Sequence, residues 1–161
     1  MGFTTAAQIE GVSTILSLRW NFGRQLRRRG AVVGNGMFAL PVLGAQHHQA
    51  TLEKFCGGRH QDGIQRYCSA VLAPINPHDR NAVIVTIQKQ EVGFLEPGLA
   101  TDFLRAMRKA GYVNVISDAA IVRGWDLGAD NRGIFGVRLD AHVPFRLQSI
   151  RDWRWRSQMI F

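Results

Sequence analysis

The chemistry this chain offers is concentrated in the stretch Ile75-Asn-Pro-His-Asp-Arg-Asn-Ala-Val83. An amide (Asn76), an imidazole (His78), a carboxylate (Asp79) and a guanidinium (Arg80) fall side by side there. Asn76-Pro77 opens a turn, and Asp79 and Asn81 are types that bond nearby backbone amides and hold such a turn. The segment then runs into an apolar, β-branched stretch, Ala82 to Ile87, so the four groups sit on a loop at the end of a strand. Two readings follow: a polar site at the mouth of a barrel, or a turn stabilised by Asp79 and Asn81 that meets no ligand.

A second polar group lies upstream in Val42-Leu-Gly-Ala-Gln-His-His48. Gly44 permits close backbone approach, and in an extended chain His47 and His48 point to opposite faces. One of them would then line the same mouth as His78; the alternative is two surface histidines. Cys56, His60 and Cys68, with His47 or His48, supply zinc-type ligands, but no CxxC pair occurs and the spacings match no common finger. Neither cysteine has a nucleophile setting. No GxGxxG fingerprint or P-loop is present, which argues against nucleotide hydrolysis. The tail Arg151-Asp-Trp-Arg-Trp-Arg156 interleaves Trp153 and Trp155 with arginines. It reads as a stacking and phosphate surface or as a tryptophan plug with its arginines in water.

These groups must be positioned by a chain of 161 residues, 46% hydrophobic and 20% charged, long enough for one core without staples. Residues 1–36 read as an N-terminal helix and a glycine-rich linker. Thr5-Ala-Ala-Gln8 is a capping-box pattern, Ile9, Val12 and Leu16 recur at helical spacing, and Gly30, Gly34 and Gly36 mark a flexible joint. From Met37 short apolar runs are cut by turns. Strands are expected over 37–45, with Pro41 at an edge or bulge, then over 66–73, and as a hairpin over 82–95 turning at Lys89-Gln90. Residues 49–64 read as a loop broken by Gly57-Gly58. A helix starts at Pro97, carries Leu99, Phe103 and Met107 on its apolar stripe, and stops at Gly111. Strands over 113–122 and 133–143 complete the set. The expected fold is mainly β with one or two helices: a small OB-like six-stranded barrel over 37–145, an N-terminal helix, and a basic Trp-rich tail over 146–161.

Twenty Lys and Arg against twelve Asp and Glu give a net charge of +8, and only Lys54, Lys89 and Lys109 are lysines. Such a field steers polyanions toward the surface and makes their binding salt-sensitive. The arginine bias matters because guanidinium grips phosphate bidentately and stacks on bases. Two cysteines cannot form a disulfide framework, and with no evident leading signal peptide the expected compartment is the cytoplasm. The basic run Arg27 to Arg29 followed by 30–46 has the texture of an export signal, but lies far from Met1 and is interrupted by Asn35, Gly36 and Pro41. No stretch holds eighteen uninterrupted apolar residues, so no membrane span is expected.

Asn76-Pro-His-Asp-Arg-Asn-Ala-Val83, then Val92-Gly-Phe-Leu95 and the helix after Pro97, resemble the HIRAN domain family. Its pattern runs asparagine-proline-tyrosine-aspartate-x-asparagine-alanine, a strand, then valine-glycine-x-leucine. Leu43-Gly-Ala-Gln-His47 is similar to the end of its first strand, and the likeness spans about 38–143, closest in the central part. The resemblance implies an OB-like barrel that captures the 3′ end of single-stranded DNA, without chemistry or cofactor of its own, in proteins of repair and replication-fork processing. By position, it implies that His47 and His78 sandwich the terminal bases and that Asp79 accepts the 3′-hydroxyl. Asn76 falls on a polar contact, Phe94 beside the strand-contacting hairpin position, and Phe135 on a further ring. Gln46 stands where the family places an arginine against phosphate; Arg59, Arg66 and Arg80 are candidate replacements. Histidine for tyrosine at both stacking positions keeps a smaller π-face.

The reading that results is a non-enzymatic module binding single-stranded DNA at 3′ ends through Gln46, His47, Asn76, His78, Asp79, Arg80, Phe94 and Phe135, with no metal and no cofactor. The alternative is an accessory domain that docks onto a helicase or nuclease. A weaker one is a metal site built from His47, His60, His78 and Asp79.

Overall fold

The computed structural model describes residues 28–75 and 81–154. The expected N-terminal helix and the segment Asn76 to Arg80 lie outside the described residues, as does the end of the tail. Eight strands form one curled sheet: β1 (Arg29–Val32), β2 (Leu40–Pro41), β3 (Ile64–Pro74), β4 (Val83–Ile87), β5 (Gln90–Phe94), β6 (Asn114–Arg123), β7 (Phe135–Leu139) and β8 (Leu147–Ser149). Two α-helices accompany them, α1 (Gln49–Cys56) and α2 (Pro97–Ala110). A mainly β fold with an OB-like curl is the architecture expected from the sequence; among the described residues the strands number eight, not six, and α1 stands where a loop was expected.

Six strands run in the order β2-β7-β6-β3-β4-β5, and the curl brings the two ends of that path together. Leu43, just after β2, bridges to Phe94 at the end of β5, each backbone N–H donating to the other's carbonyl at 2.8 Å. Val42 meanwhile donates to Val137 at 2.9 Å, so residues 40–43 are shared between the two edges of the sheet. Gly93 makes this possible. A Cβ there would lie 2.1 Å from the Leu43 carbonyl oxygen, and its φ of +144° is open to glycine at little cost. In Val92-Gly-Phe-Leu95, the buried Val92 and Leu95 therefore anchor the strand while Gly93 admits the closing segment.

Local chemistry explains most elements. β4 and β7 alternate strictly between buried and half-exposed positions, the period of a strand with one face on a core. The hairpin between β4 and β5 turns on Gln88 and Lys89, one residue before the expected Lys89-Gln90, both left-handed with φ of 49° and 65°, matching the twist of two-residue hairpins. In α2, Pro97 occupies the first turn, and Ala100, Phe103, Leu104 and Met107 are buried along one side. The helix stops where Gly111 turns left-handed and donates to Arg108 at 3.0 Å.

Beyond the strand count and the hairpin turn, five sequence expectations change. Residues 49–56 are helical, not loop: Leu52 and Cys56, four apart, are both buried, and Gly57-Gly58 is the helix stop, bonding back to Lys54 and Glu53. The strand expected over 37–45 shrinks to Leu40–Pro41 and the single bridge at Leu43. The boundary at residue 36 falls inside the folded body, because β1 pairs in parallel with the first half of β6 and antiparallel with β8. For the same reason the tail begins as sheet. Two of the three glycines read as a joint are close-packing positions: a Cβ at Gly30 would run into the Tyr112 ring and one at Gly34 into the Asp140 carboxylate. That carboxylate, 1% exposed, accepts the Asn35 N–H at 3.1 Å and the Gly36 N–H at 2.8 Å. No helix among the described residues is long and apolar enough to cross a membrane.

Candidate nucleic-acid interface

Gly44 is left-handed (φ 85°) and bends the chain from the seam into a 3-10 turn over Ala45–His48. This replaces the extended strand end expected there, so His47 and His48 do not simply alternate between faces. Gln46 and His47 are exposed. The next two residues are anchors. His48 Nε2 stands 3.5 Å from Glu91 Oε1 on β5. The Gln49 amide donates to the Ala45 and Phe135 carbonyls at 2.8 and 2.9 Å and accepts the Phe135 N–H at 2.7 Å. One glutamine thus completes the first residue of β7 as a neighbouring strand would, and ties the turn to the sheet. Held from β5 and from β7, the turn presents Gln46 and His47 on a fixed frame.

Beside Gln46 an open groove of ≈ 200 Å³ runs over the ends of β6 and β7. Pro41, Val122, Gly136 and the 54%-exposed Ile134 give it an apolar floor and lip, and Arg123 and Arg138 give it charge. Arg138 points outward because Phe135, Val137 and Leu139 take the inward positions of β7, and the register sets it beside Pro41. Neither arginine has an ion-pair carboxylate among the described residues. Two cationic, planar, multi-donor groups thus border a slot floored by small and aliphatic side chains. Such an arrangement suits a phosphate with a flat ring beside it.

The sequence-derived residues fare differently. Gln46 lines the groove, and His47, exposed next to it on the same turn, does not. Phe94 is half-buried at the seam, where a Cβ on Gly44 would lie 3.6 Å from its ring. Phe135 is corrected: it is 0% exposed, the largest buried ring beside Phe103, and cannot meet a base. Its neighbour Ile134 is the exposed side chain at that position. Arg59 is corrected as a phosphate contact. It donates to Glu53 at 3.1 Å and to the Gly133 carbonyl, and its guanidinium stacks 4.8 Å from the Phe135 ring centre. Arg66 is exposed on β3. Asn76, His78, Asp79 and Arg80 lie outside the described residues. Of the residues flanking them, Ile75 donates to Ala82 at 3.4 Å; two positions on, Ile84 pairs with Phe94, which bridges to Leu43.

Sequence reasoning missed Arg123, Ile134, Arg138 and the anchor Gln49. The alternation Phe135-Gly-Val-Arg-Leu139 already put Arg138 on the outer face. Gln49 carried no signal, because its partners are backbone atoms 86 residues away.

The thiols are poor nucleophiles. Burial pushes Cys68 up to about 12, with Cys56 beside it adding to the shift, and burial raises Cys56 against the opposing pull of Arg66. Asp126 is held below the usual carboxylate range by the Gly128 N–H and then by Arg132, which fixes the β6–β7 loop. Among the described residues no three His, Cys, Asp or Glu side chains gather to hold a metal, so Cys56, His60 and Cys68 do not form the zinc set that their types allow. Comparison of the chain with protein-family models, with curated proteins and with solved structures finds no match to any of them.

Proposed function

We propose that this chain is a nucleic-acid-binding module that takes the 3′ end of a single DNA strand, acting in repair or replication-fork processing. The observation that carries the reading is the pinned turn: Gln46 and His47 project from a frame bonded to two strands, next to a groove whose two arginines have no ion-pair partner among the described residues. An imidazole carried on a backbone fixed in this way has less freedom to lose when it stacks on a base, and base stacking on rings is worth roughly 1–3 kcal/mol. Arg123 and Arg138 supply the phosphate contacts that the replacement of arginine by Gln46 removes. The net charge of +8 brings the strand in. Through the resemblance, His78 supplies the second ring and Asp79 the acceptor for a free 3′-hydroxyl.

The discriminating experiment is competition between an oligonucleotide ending in a 3′-hydroxyl and its 3′-phosphate twin. End capture predicts clear preference for the hydroxyl, lost in Asp79→Asn. Equal affinity removes the end-recognition role. Failure to bind any oligonucleotide at low or high salt removes the nucleic-acid reading and favours docking onto a protein partner.

A further inference from the structure

The far end of β6 carries charge of a different kind. β6 runs from Arg123 at the groove back to Asn114, nine steps of roughly 3.3 Å, or about 30 Å. Asn114 is paired with Arg29 of β1. β1 and β8 pair with Gly30 opposite Ser149, and Ile150 donates to the Arg29 carbonyl at 3.4 Å. β8 ends at Ser149, and the turn closed by the Asp152 N–H donating to the Ser149 carbonyl at 3.0 Å carries Arg151 at the end of the sheet where Arg28 enters β1. The turn that follows, in which Trp153 donates to Ile150 at 3.3 Å, carries Arg154 to the same end. Val113 donates to the Arg28 carbonyl at 2.9 Å and brings the last turn of α2, with Lys109, alongside.

Arg28, Arg29, Arg151 and Arg154 are all exposed and make no ion pair among the described residues. The acid next to them in sequence is Asp152. Cationic side chains gathered at one end of the sheet repel one another, and an external polyanion relieves that repulsion. Trp153 is half-buried, so among the described residues the cluster is rich in charge and poor in rings open for stacking. That combination reads phosphates and not bases. Duplex DNA, with one charge per about 1.7 Å of axis, rewards a compact cationic cluster more than a single strand does.

We propose that the cluster at the start of β6 is a sequence-independent contact for the phosphodiester backbone of duplex DNA. Placed about 30 Å from the groove, it would hold the duplex behind a strand end, a span of about nine base pairs. That joint role rests on the proposed function; duplex binding by the cluster does not.

The test uses the full chain and a DNA dumbbell closed by loops at both ends, so that no terminus is available to the groove. Affinity is measured against salt for the wild type, for Arg28→Gln/Arg29→Gln/Arg151→Gln/Arg154→Gln, for the corresponding four Arg→Lys changes, and for His47→Ala. Each variant's unfolding midpoint is checked. At a slope of about 0.9 per phosphate, four contacts cost the wild type roughly a hundredfold in affinity between about 50 and 200 mM salt. The Gln variant should lose this dependence, its slope falling by about 3.6, whereas the Lys and His47→Ala proteins keep it. An unchanged slope in the Gln variant overturns the proposal. So does a wild type that ignores the dumbbell and binds phosphatidylserine vesicles through the same arginines. Dumbbell binding without 3′-end preference removes the proposed function and leaves this inference standing; the reverse outcome removes only this inference.

Discussion

The two ends of β6 solve different problems with different materials. At the groove end, side chains are held by backbone bonds and packing: Gln49 completes β7, His48 meets Glu91, Gly93 admits the closing segment, and Phe135 fills the space beneath. At the arginine end, three residue pairs between β1 and β8 set the strand ends that carry Arg28 and Arg29, and the turn that carries Arg151 and Arg154, at one end of the sheet. Recognition of shape needs a frame that over-determines a few atoms. Attraction by charge needs only proximity, because guanidinium groups reach across the remaining distance. Damage to the frame should therefore cost stability and binding together at one end, and loss of charge at the other should lower affinity and its salt dependence without destabilising the fold.

The sharpest break is Phe135→Ala. Truncating a fully buried ring should cost about 4 kcal/mol, read as a large drop in the denaturant midpoint. Ile134→Ala, one residue earlier and exposed, should change stability by less than about 0.5 kcal/mol while weakening oligonucleotide binding. Equal stability losses for the two would contradict the inward assignment of Phe135. Gly93→Ala comes next: the added methyl meets the Leu43 carbonyl, and strain with overpacking should cost about 3 kcal/mol. Gln49→Ala leaves the Phe135 N–H and carbonyl without their side-chain partner, and should cost about 2 kcal/mol. Binding should fall with it, since the turn loses its tie to β7.

A smaller effect concerns pH. Because Cys68 stays protonated in the fold up to about 12 against an ordinary 9.0, its contribution is fully present below pH 9. It is lost as pH rises between about 9 and 12, where the unfolded chain releases the thiol proton first. Cys68→Ala should flatten the fall of stability across that window. Alkylation of the native protein at pH 8 should be slow at Cys68 and fast after unfolding.

Much of the fold was legible because its cues are local. The hairpin over 83–94, the helix from Pro97 to Gly111 and the alternation of β7 follow from residue order alone. What escaped depends on atoms far apart in sequence. Gly30, Gly34 and Gly93 look like punctuation, yet Gly30 packs under Tyr112, Gly34 against Asp140, and Gly93 under Leu43. The pattern around Gly57-Gly58 reads as a loop because α1 has only eight residues to show its period. Of the candidate site, Gln46 and His47 were readable from their types beside a strand end. Arg59 and Arg66 were indistinguishable from Arg123 and Arg138 until packing separated a stacked, hydrogen-bonded arginine from those lining the groove. Phe135 was misplaced because a ring at a strand's first position is equally at home inside or out, and only the register with Arg123 and the Gln49 bonds decides.

The most direct measurement is a fluorescence-anisotropy titration of 3′-blocked and 5′-blocked single-stranded oligonucleotides at two salt concentrations, for the wild type and for Gln46→Ala/His47→Ala. End capture at the groove predicts tighter binding when the 3′ terminus is free, and a loss of about fivefold or more in the double variant at both salts, with the salt slope little changed. Indifference to which end is blocked, with wild-type affinity in the double variant, would contradict it.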